Sequence, residues 1–271
     1  MDDERKKRIM GITPELEENL KRIRNKIAVL SGKGGVGKST VSVNLAFALS
    51  EAGFKTGVMD ADIHGPNIAK MLSIENHRLL SDGKRIKPIH VTDKLWAVSM
   101  ALAFKRDEPV AWRGPLKTSA IRQFLGEVEW PELDFLIIDM PPGTGDEAIT
   151  VAQLVAGCSA VIVTTPQEVA LLDSMRAARF AKESNMNVLG VIENMSGFAC
   201  PHCGKEADIF KKGNAKKAAE ESGIEFLGSI PLDPYAVTST DSGLPAISNE
   251  KSPAGKALRR IAEKIISLSE P

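Results

Sequence analysis

The stretch Ser31–Thr40, SGKGGVGKST, constrains the fold more than any other part of the chain. It satisfies G-x-x-x-x-G-K-[ST] through Gly32, Gly37, Lys38 and Ser39. Glycines let the backbone curl until its N–H groups face phosphate oxygens, and a helix that starts at the end of the loop adds the partial positive charge of its N-terminus. The loop works only between a strand and a helix. Both are predicted: the apolar run KIAVLS (26–31) precedes it and a helical stretch (38–52) follows. Gly32, Lys33, Gly34, Gly35, Val36, Gly37, Lys38, Ser39 and Thr40 are then expected to cradle the phosphates of a nucleotide, ATP with Mg²⁺. Lys38 would contact the β- and γ-phosphates, and Ser39 would hold the metal.

The rest of the chain repeats the strand–helix rhythm. KTGVMD (55–60), LWAVSM (95–100), DFLIID (134–139), AVIVTT (160–165), NVLGVIEN (187–194) and EFLGSI (225–230) read as strands, with helices at 115–126, 147–156, 168–184, 213–222 and 254–268. Strands that are continuously apolar are buried on both faces, so the expected class is α/β, a doubly wound, mostly parallel sheet flanked by helices. One region differs: SDGKRIKPIHVTDKLWAVSM reads as a hairpin on the sheet edge with VTDK as its turn. Residues 1–25 are expected to form a helical arm with Leu16, Leu20 and Ile23 on one face, and 26–271 the nucleotide-binding domain. No Pro/Gly/Ser-rich linker or internal repeat divides the chain.

With 35 basic and 35 acidic residues, no net field draws the chain to nucleic acid or an anionic membrane, so neither is expected as a partner. The N-terminal segment is charged from its second residue and no apolar run reaches membrane-spanning length, which points to the cytoplasm.

Two acidic positions suit the nucleotide. FLIIDMPPGTGD ends an apolar strand in Asp139, from which a carboxylate reaches Mg²⁺, and Gly143 follows in a turn whose backbone could sense a γ-phosphate. VMDADIHGPN places Asp60 and Asp62 at the end of the second strand, as catalytic groups or as turn caps.

The chain has three cysteines, and two of them, Cys200 and Cys203, stand in GFACPHCGK (197–205). A tetrahedral metal site normally takes four protein ligands, so this spacing is half a site. His64, His77 and His90 make no spaced cluster with it, His202 is expected to point outward from a turn that aims both sulfurs at one ion, and Gly204 permits the backbone turn that directs N–H groups at sulfur. A thioredoxin-like dithiol would open a helix, whereas this pair follows a strand. Cys158 reads as a small core residue. Spacing alone does not separate iron–sulfur from zinc, because both accept four thiolates.

GKGGVGKST resembles the deviant Walker A signature of the SIMIBI-type P-loop NTPases, the family containing nitrogenase iron protein, MinD, ParA and the Mrp/ApbC-type iron–sulfur cluster carriers. DADIHGPNI, AWRGP (111–115), DMPPGTGDE, TTPQEVAL (164–171) and VIENMSGFACPHCG fall in the order and spacing of the carriers, over roughly residues 26–268. The resemblance implies a homodimeric ATPase in which Lys33 acts on the partner's nucleotide, Asp62 orients or deprotonates the attacking water, and Asn194 contacts adenine beneath PLDP (231–234). It also implies that Cys200 and Cys203 of two chains share a cluster, [4Fe–4S] first and zinc as the aerobic substitute, for delivery to apo iron–sulfur proteins. An extra four-cysteine N-terminal motif found in some relatives is absent here. MinD- or ParA-like positioning, with structural zinc at the CxxC, is the competing expectation. The MinD-like form would need the C-terminal stripe Leu258, Ile261, Ile265, Leu268 to face a membrane, where a helix docked on its own sheet is the plainer reading, and the ParA-like form would need basic patches that a neutral chain does not advertise.

Overall fold

The computed structural model describes residues 11–62, 65–102, 114–199, 203, 205–209 and 213–269. Helix α1 (Pro14–Lys21) starts on Thr13, whose hydroxyl accepts the Leu16 amide at 3.2 Å. Leu16 and Leu20 enter the core, and buried Asn19 donates to the Leu125 and Val128 carbonyls at 2.8 and 2.7 Å, tying α1 to helix α4 (Gly114–Glu127). Ile23, expected on the helical face, instead opens strand β1 (Ile23–Leu30), where it pairs with Leu133.

From β1 the chain alternates as expected. Helix α2 (Lys38–Glu51) leads to β2 (Thr56–Asp60) and the short α3 (Ile68–Met71). Strands β3 (Leu80–Ser81), β4 (Ile86–Lys87), β5 (Ile89–Thr92) and β6 (Leu95–Ser99) lead to α4 and then β7 (Leu133–Asp139). Next come α5 (Asp146–Leu154), β8 (Ser159–Thr164), α6 (Glu168–Glu183) and β9 (Asn187–Ala199). The chain continues through β10 (Glu206–Ala207), α7 (Asn214–Glu221), β11 (Phe226–Leu232), α8 (Pro234–Asp241) and α9 (Pro253–Leu268).

Across the main sheet the strands run β5-β6-β2-β7-β1-β8-β9-β11, with β10 on the far end of β9. All neighbours are parallel except β5 against β6 and β10 against β9. The expected edge hairpin is therefore β5–β6. Side chains alternate between two apolar layers. Ala28 and Leu30 face one layer with Phe124 and Ile138, and Ile27 and Val29 face the other with Leu45, Ile137, Val163 and Ile261. Burial on both faces is why these strands read as unbroken apolar runs.

Helix α9 closes the second layer. Ser252 caps it by accepting the Gly255 amide at 2.9 Å, and Leu258, Ile261 and Ile265 are buried, while Leu268 is exposed. The apolar stripe thus docks on its own sheet. Among the described residues, no helix is long and apolar enough to cross a membrane.

Candidate functional site: a nucleotide cleft and a cysteine hairpin

β1 lies between β7 and β8, so the loop after it emerges at the centre of the sheet, at the C-terminal ends of the strands. Gly37 precedes α2 in a left-handed conformation (φ 81°) with no side-chain cap, which leaves the first-turn amides for an outside acceptor. Two glycines are demanded by close approach. A Cβ on Gly32 would meet the Asp173 backbone at 2.1 Å, and one on Gly37 would meet Asn194 Nδ2 at 2.2 Å. A cavity of about 190 Å³ opens over the loop, lined by Lys33, Gly34, Gly35, Val36, Lys38, Ser39, Thr40 and, from other elements, Asp62, Asn67, Met71 and Pro142. The sequence-predicted loop residues and Asp62 therefore meet in one place.

Lys38 is buried, and its Nζ donates to Asp139 Oδ1 at 2.8 Å. The Ser42 hydroxyl donates to the same oxygen at 2.7 Å. Ser42 lies outside the loop motif, yet it stands one helical turn beyond Lys38 and so shares its face. Asp139 thus sits beside Ser39's helix, and a hard-oxygen pair of carboxylate and hydroxyl is the donor chemistry Mg²⁺ takes. The Gly143 amide, expected to face a γ-phosphate, donates to the Ser31 carbonyl at 2.9 Å, and the Ser31 hydroxyl donates to Lys33 O at 3.0 Å.

Asp60, the last residue of β2, and Asp62, just beyond it, sit in different surroundings. Asp60 is fully buried and opposite Asp139 in the sheet register, and it accepts the Ser99 hydroxyl at 2.8 Å and the Asp62 and Ile68 amides at 3.2 and 3.3 Å. Burial, with the Asp139 charge second, pushes its carboxyl up to about 8. Asp60 is therefore a structural cap, while half-buried Asp62 faces the phosphate cavity.

A second cavity, about 250 Å³, adjoins the first through Gly37 and Thr40 and is lined by Asn194, Met195, Pro231, Leu232, Asp233 and Val237. Its largely apolar walls and its position beyond the phosphate loop suit a nucleobase. Asn194 lines it and also donates through Nδ2 to Val36 O at 2.9 Å, so it braces the loop as well. PLDP meets this cavity too: Asp233 caps α8 by accepting the Tyr235 amide at 2.9 Å and accepts the Ser252 hydroxyl at 2.5 Å.

At the same C-terminal edge of the sheet, β9 runs on beyond its pairing with β8. Phe198 pairs with Ala207 and Ala199 with Glu206, an antiparallel pairing that brackets positions 200–205. Cys203 is exposed within that bracket. Cys200, His202, Gly204, His64 and residues 111–113 of AWRGP lie outside the described residues. Cys158 is buried, its thiol pushed up to about 12 by loss of solvent, as a core residue should be. Among the described residues no group of three or more His, Cys, Asp and Glu side chains could hold a metal ion.

Comparison with known proteins matches this arrangement. The family model described as ParA, NUBPL iron-transfer P-loop NTPase, covers residues 22–266. A protein named iron-sulfur cluster carrier protein, from Pyrococcus horikoshii, is 48% identical over 264 residues, 93% of this chain and 89% of the relative. A nucleotide-binding protein from Archaeoglobus fulgidus, solved in complex with ADP, is similar at TM-score 0.75 and 38% identity, over 84% of this chain and 90% of that one. The cell division ATPase MinD of Pyrococcus furiosus follows at TM-score 0.66 and 25% identity, over 91% of this chain and 100% of that one. The chain belongs to the ParA/NUBPL iron-transfer family of P-loop NTPases.

Proposed function

We propose that the protein is an ATP-hydrolysing carrier that binds a labile iron–sulfur cluster between two copies of itself and hands it to apo-proteins. The observation that carries this reading is the combination of a complete phosphate loop with the CxxC pair of the sequence, which the β9–β10 pairing brackets, Cys203 being exposed, and which offers two of the four thiolates a closed site takes. The thiolates of Cys200 and Cys203 from each chain make four, enough for [4Fe–4S] or, in aerobic preparations, zinc. A reducing compartment, the cytoplasm, keeps such thiols available.

In the nucleotide cleft, Lys38 leaves Asp139 for the β- and γ-phosphates, where its charge and the loop amides stabilise the transferring phosphoryl group. Ser39 and Asp139 would hold Mg²⁺, which neutralises phosphate charge. Asp62 orients or deprotonates the attacking water, and Asn194 and the PLDP segment receive adenine. Lys33 crosses to the partner's nucleotide like an arginine finger. A facing copy is supported by two exposed apolar side chains, Val169 and Leu172, near the start of α6, the helix whose Asp173 backbone crowds Gly32.

MinD-like membrane positioning is not supported, because the apolar stripe of α9 is spent on the protein's own core. Anaerobic reconstitution followed by iron, sulfide and zinc analysis and native mass measurement tests the carrier reading. One metal centre per two chains is expected, lost in Cys200→Ser and Cys203→Ser and retained in Cys158→Ser. A centre held tightly by a monomer would overturn it.

A further inference from the structure

The nucleotide cleft and the cysteine hairpin lie on one strand, and that strand is irregular between them. From Gly190 to Glu193, β9 pairs step for step with β8. Against β11, Asn194 opposes Ile230 and Phe198 opposes Leu232, so β9 takes four residue steps where β11 takes two. The extra chain contains Met195 at φ 57°, a left-handed conformation rare for a long side chain, and Gly197 at φ 75°. Bulges and strained residues of this kind persist where surrounding contacts hold them.

Those contacts divide between the two sites. On the nucleotide side, Asn194 donates to Val36 O in the phosphate loop and Met195 lines the base cavity. On the hairpin side, fully buried Glu193 accepts the Ser196 hydroxyl at 2.5 Å, the Gly213 amide at 3.0 Å, the Ala215 amide at 2.9 Å and the Ser229 hydroxyl at 3.4 Å. One carboxylate thus holds the chain both before the cysteine segment, at Ser196, and after it, at the start of α7. A ligand in the base cavity would contact Met195 and Asn194, and the residue next to them, Glu193, is hydrogen-bonded to both ends of the cysteine segment.

We propose that Glu193–Gly197 couples nucleotide occupancy to the exposure of Cys203, with Glu193 as its positioning residue. The purpose of this coupling rests on the carrier reading above, but its test does not. The metal-free full-length protein is treated with iodoacetamide with and without ADP or a non-hydrolysable ATP analogue, and Cys203 alkylation is followed by peptide mass spectrometry. Buried Cys158 serves as the unreactive control.

Nucleotide is expected to change the Cys203 rate about fivefold or more, and Glu193→Gln is expected to cut that change below about twofold while leaving nucleotide affinity intact. Ser196→Ala, which removes one hydroxyl from the same carboxylate, gives the same reading should Glu193→Gln fail to fold. A Glu193 that only stabilises the fold would lower the melting temperature and leave the ratio of rates unchanged. Equal wild-type rates with and without nucleotide, or the full change persisting in the variants, overturn the proposal. If reconstitution yields no cluster while the ratio holds, the carrier reading falls and the coupling stands; the reverse result separates them the other way.

Discussion

The phosphate loop and the cysteine hairpin are both short, glycine-containing segments following a strand, yet they are built on opposite principles. The loop is enclosed: Gly32 presses on α6, Gly37 on Asn194, and Lys38 is buried against Asp139. Its ligand is recognised mainly by backbone amides, so nearly all of the recognition is written in ten consecutive residues. The hairpin's own strands share two residue pairs, its ends are anchored from outside by Glu193, and Cys203 is exposed. On the carrier reading its recognition chemistry is sulfur ligation, and the ligand count is completed only by a second chain. On that reading, the enclosed site serves the ligand that is turned over and the open one serves the cargo that is passed on.

The sharpest way to break that contrast is a double dissociation. Lys38→Ala should lower ATP turnover by about 10³-fold or more while leaving metal content near wild type. Cys203→Ser should do the reverse, with metal lost and nucleotide binding by calorimetry unchanged. Loss of both properties in either variant would mean that the two ends are one site.

A smaller effect is expected at Lys33, the loop residue assigned to the partner. Lys33→Ala should spare nucleotide binding and depress turnover. Mixed with Lys38→Ala, it should recover part of the activity, because one composite cleft then holds an intact Lys38 and an intact partner Lys33. No recovery on mixing would make the loop as self-contained in catalysis as it is in structure.

Most of the fold is legible in the sequence because its strands are buried on both faces, so their apolar runs name them without ambiguity. The ends are less so. The strand expected at 187–194 runs to Ala199 because β10 and β11 pair with its small, glycine-containing extension, and such pairing leaves no local trace. α8 escapes the sequence reading although Asp233 and Pro234 form an N-cap and first-turn signal, because its β-branched PYAVTSTD sequence is a poor helix former. In the site, the loop residues are visible from their spacing. Ser42, Glu193 and the buried role of Asp60 are not, since each depends in part on partners 97, 22 and 8 residues away respectively.

The smallest effect concerns Asp60, whose carboxyl is pushed up to about 8 by burial and by Asp139. A carboxyl raised above its unfolded value binds its proton more tightly when folded. Its stabilising contribution is therefore full below the ordinary carboxylate range and is lost as pH rises to about 8. Denaturant unfolding between about pH 5 and pH 8.5 should show wild-type stability falling with pH, and Asp60→Asn, which mimics the protonated acid, should flatten the slope. An unchanged slope would assign the pH dependence elsewhere and leave the nucleotide end less finely tuned than its burial implies.

The continuity of β9 restricts how this molecule can be altered by evolution or by design. Because a strand advances about 3.3 Å per residue and alternates its faces, one residue inserted between Gly190 and Glu193, where β9 pairs step for step with β8, would turn the rest of that regular run over and take the Glu193 carboxylate off the Gly213 and Ala215 amides. A loop of the same length would absorb such a change. This run of β9 therefore tolerates substitution far better than it tolerates insertion or deletion.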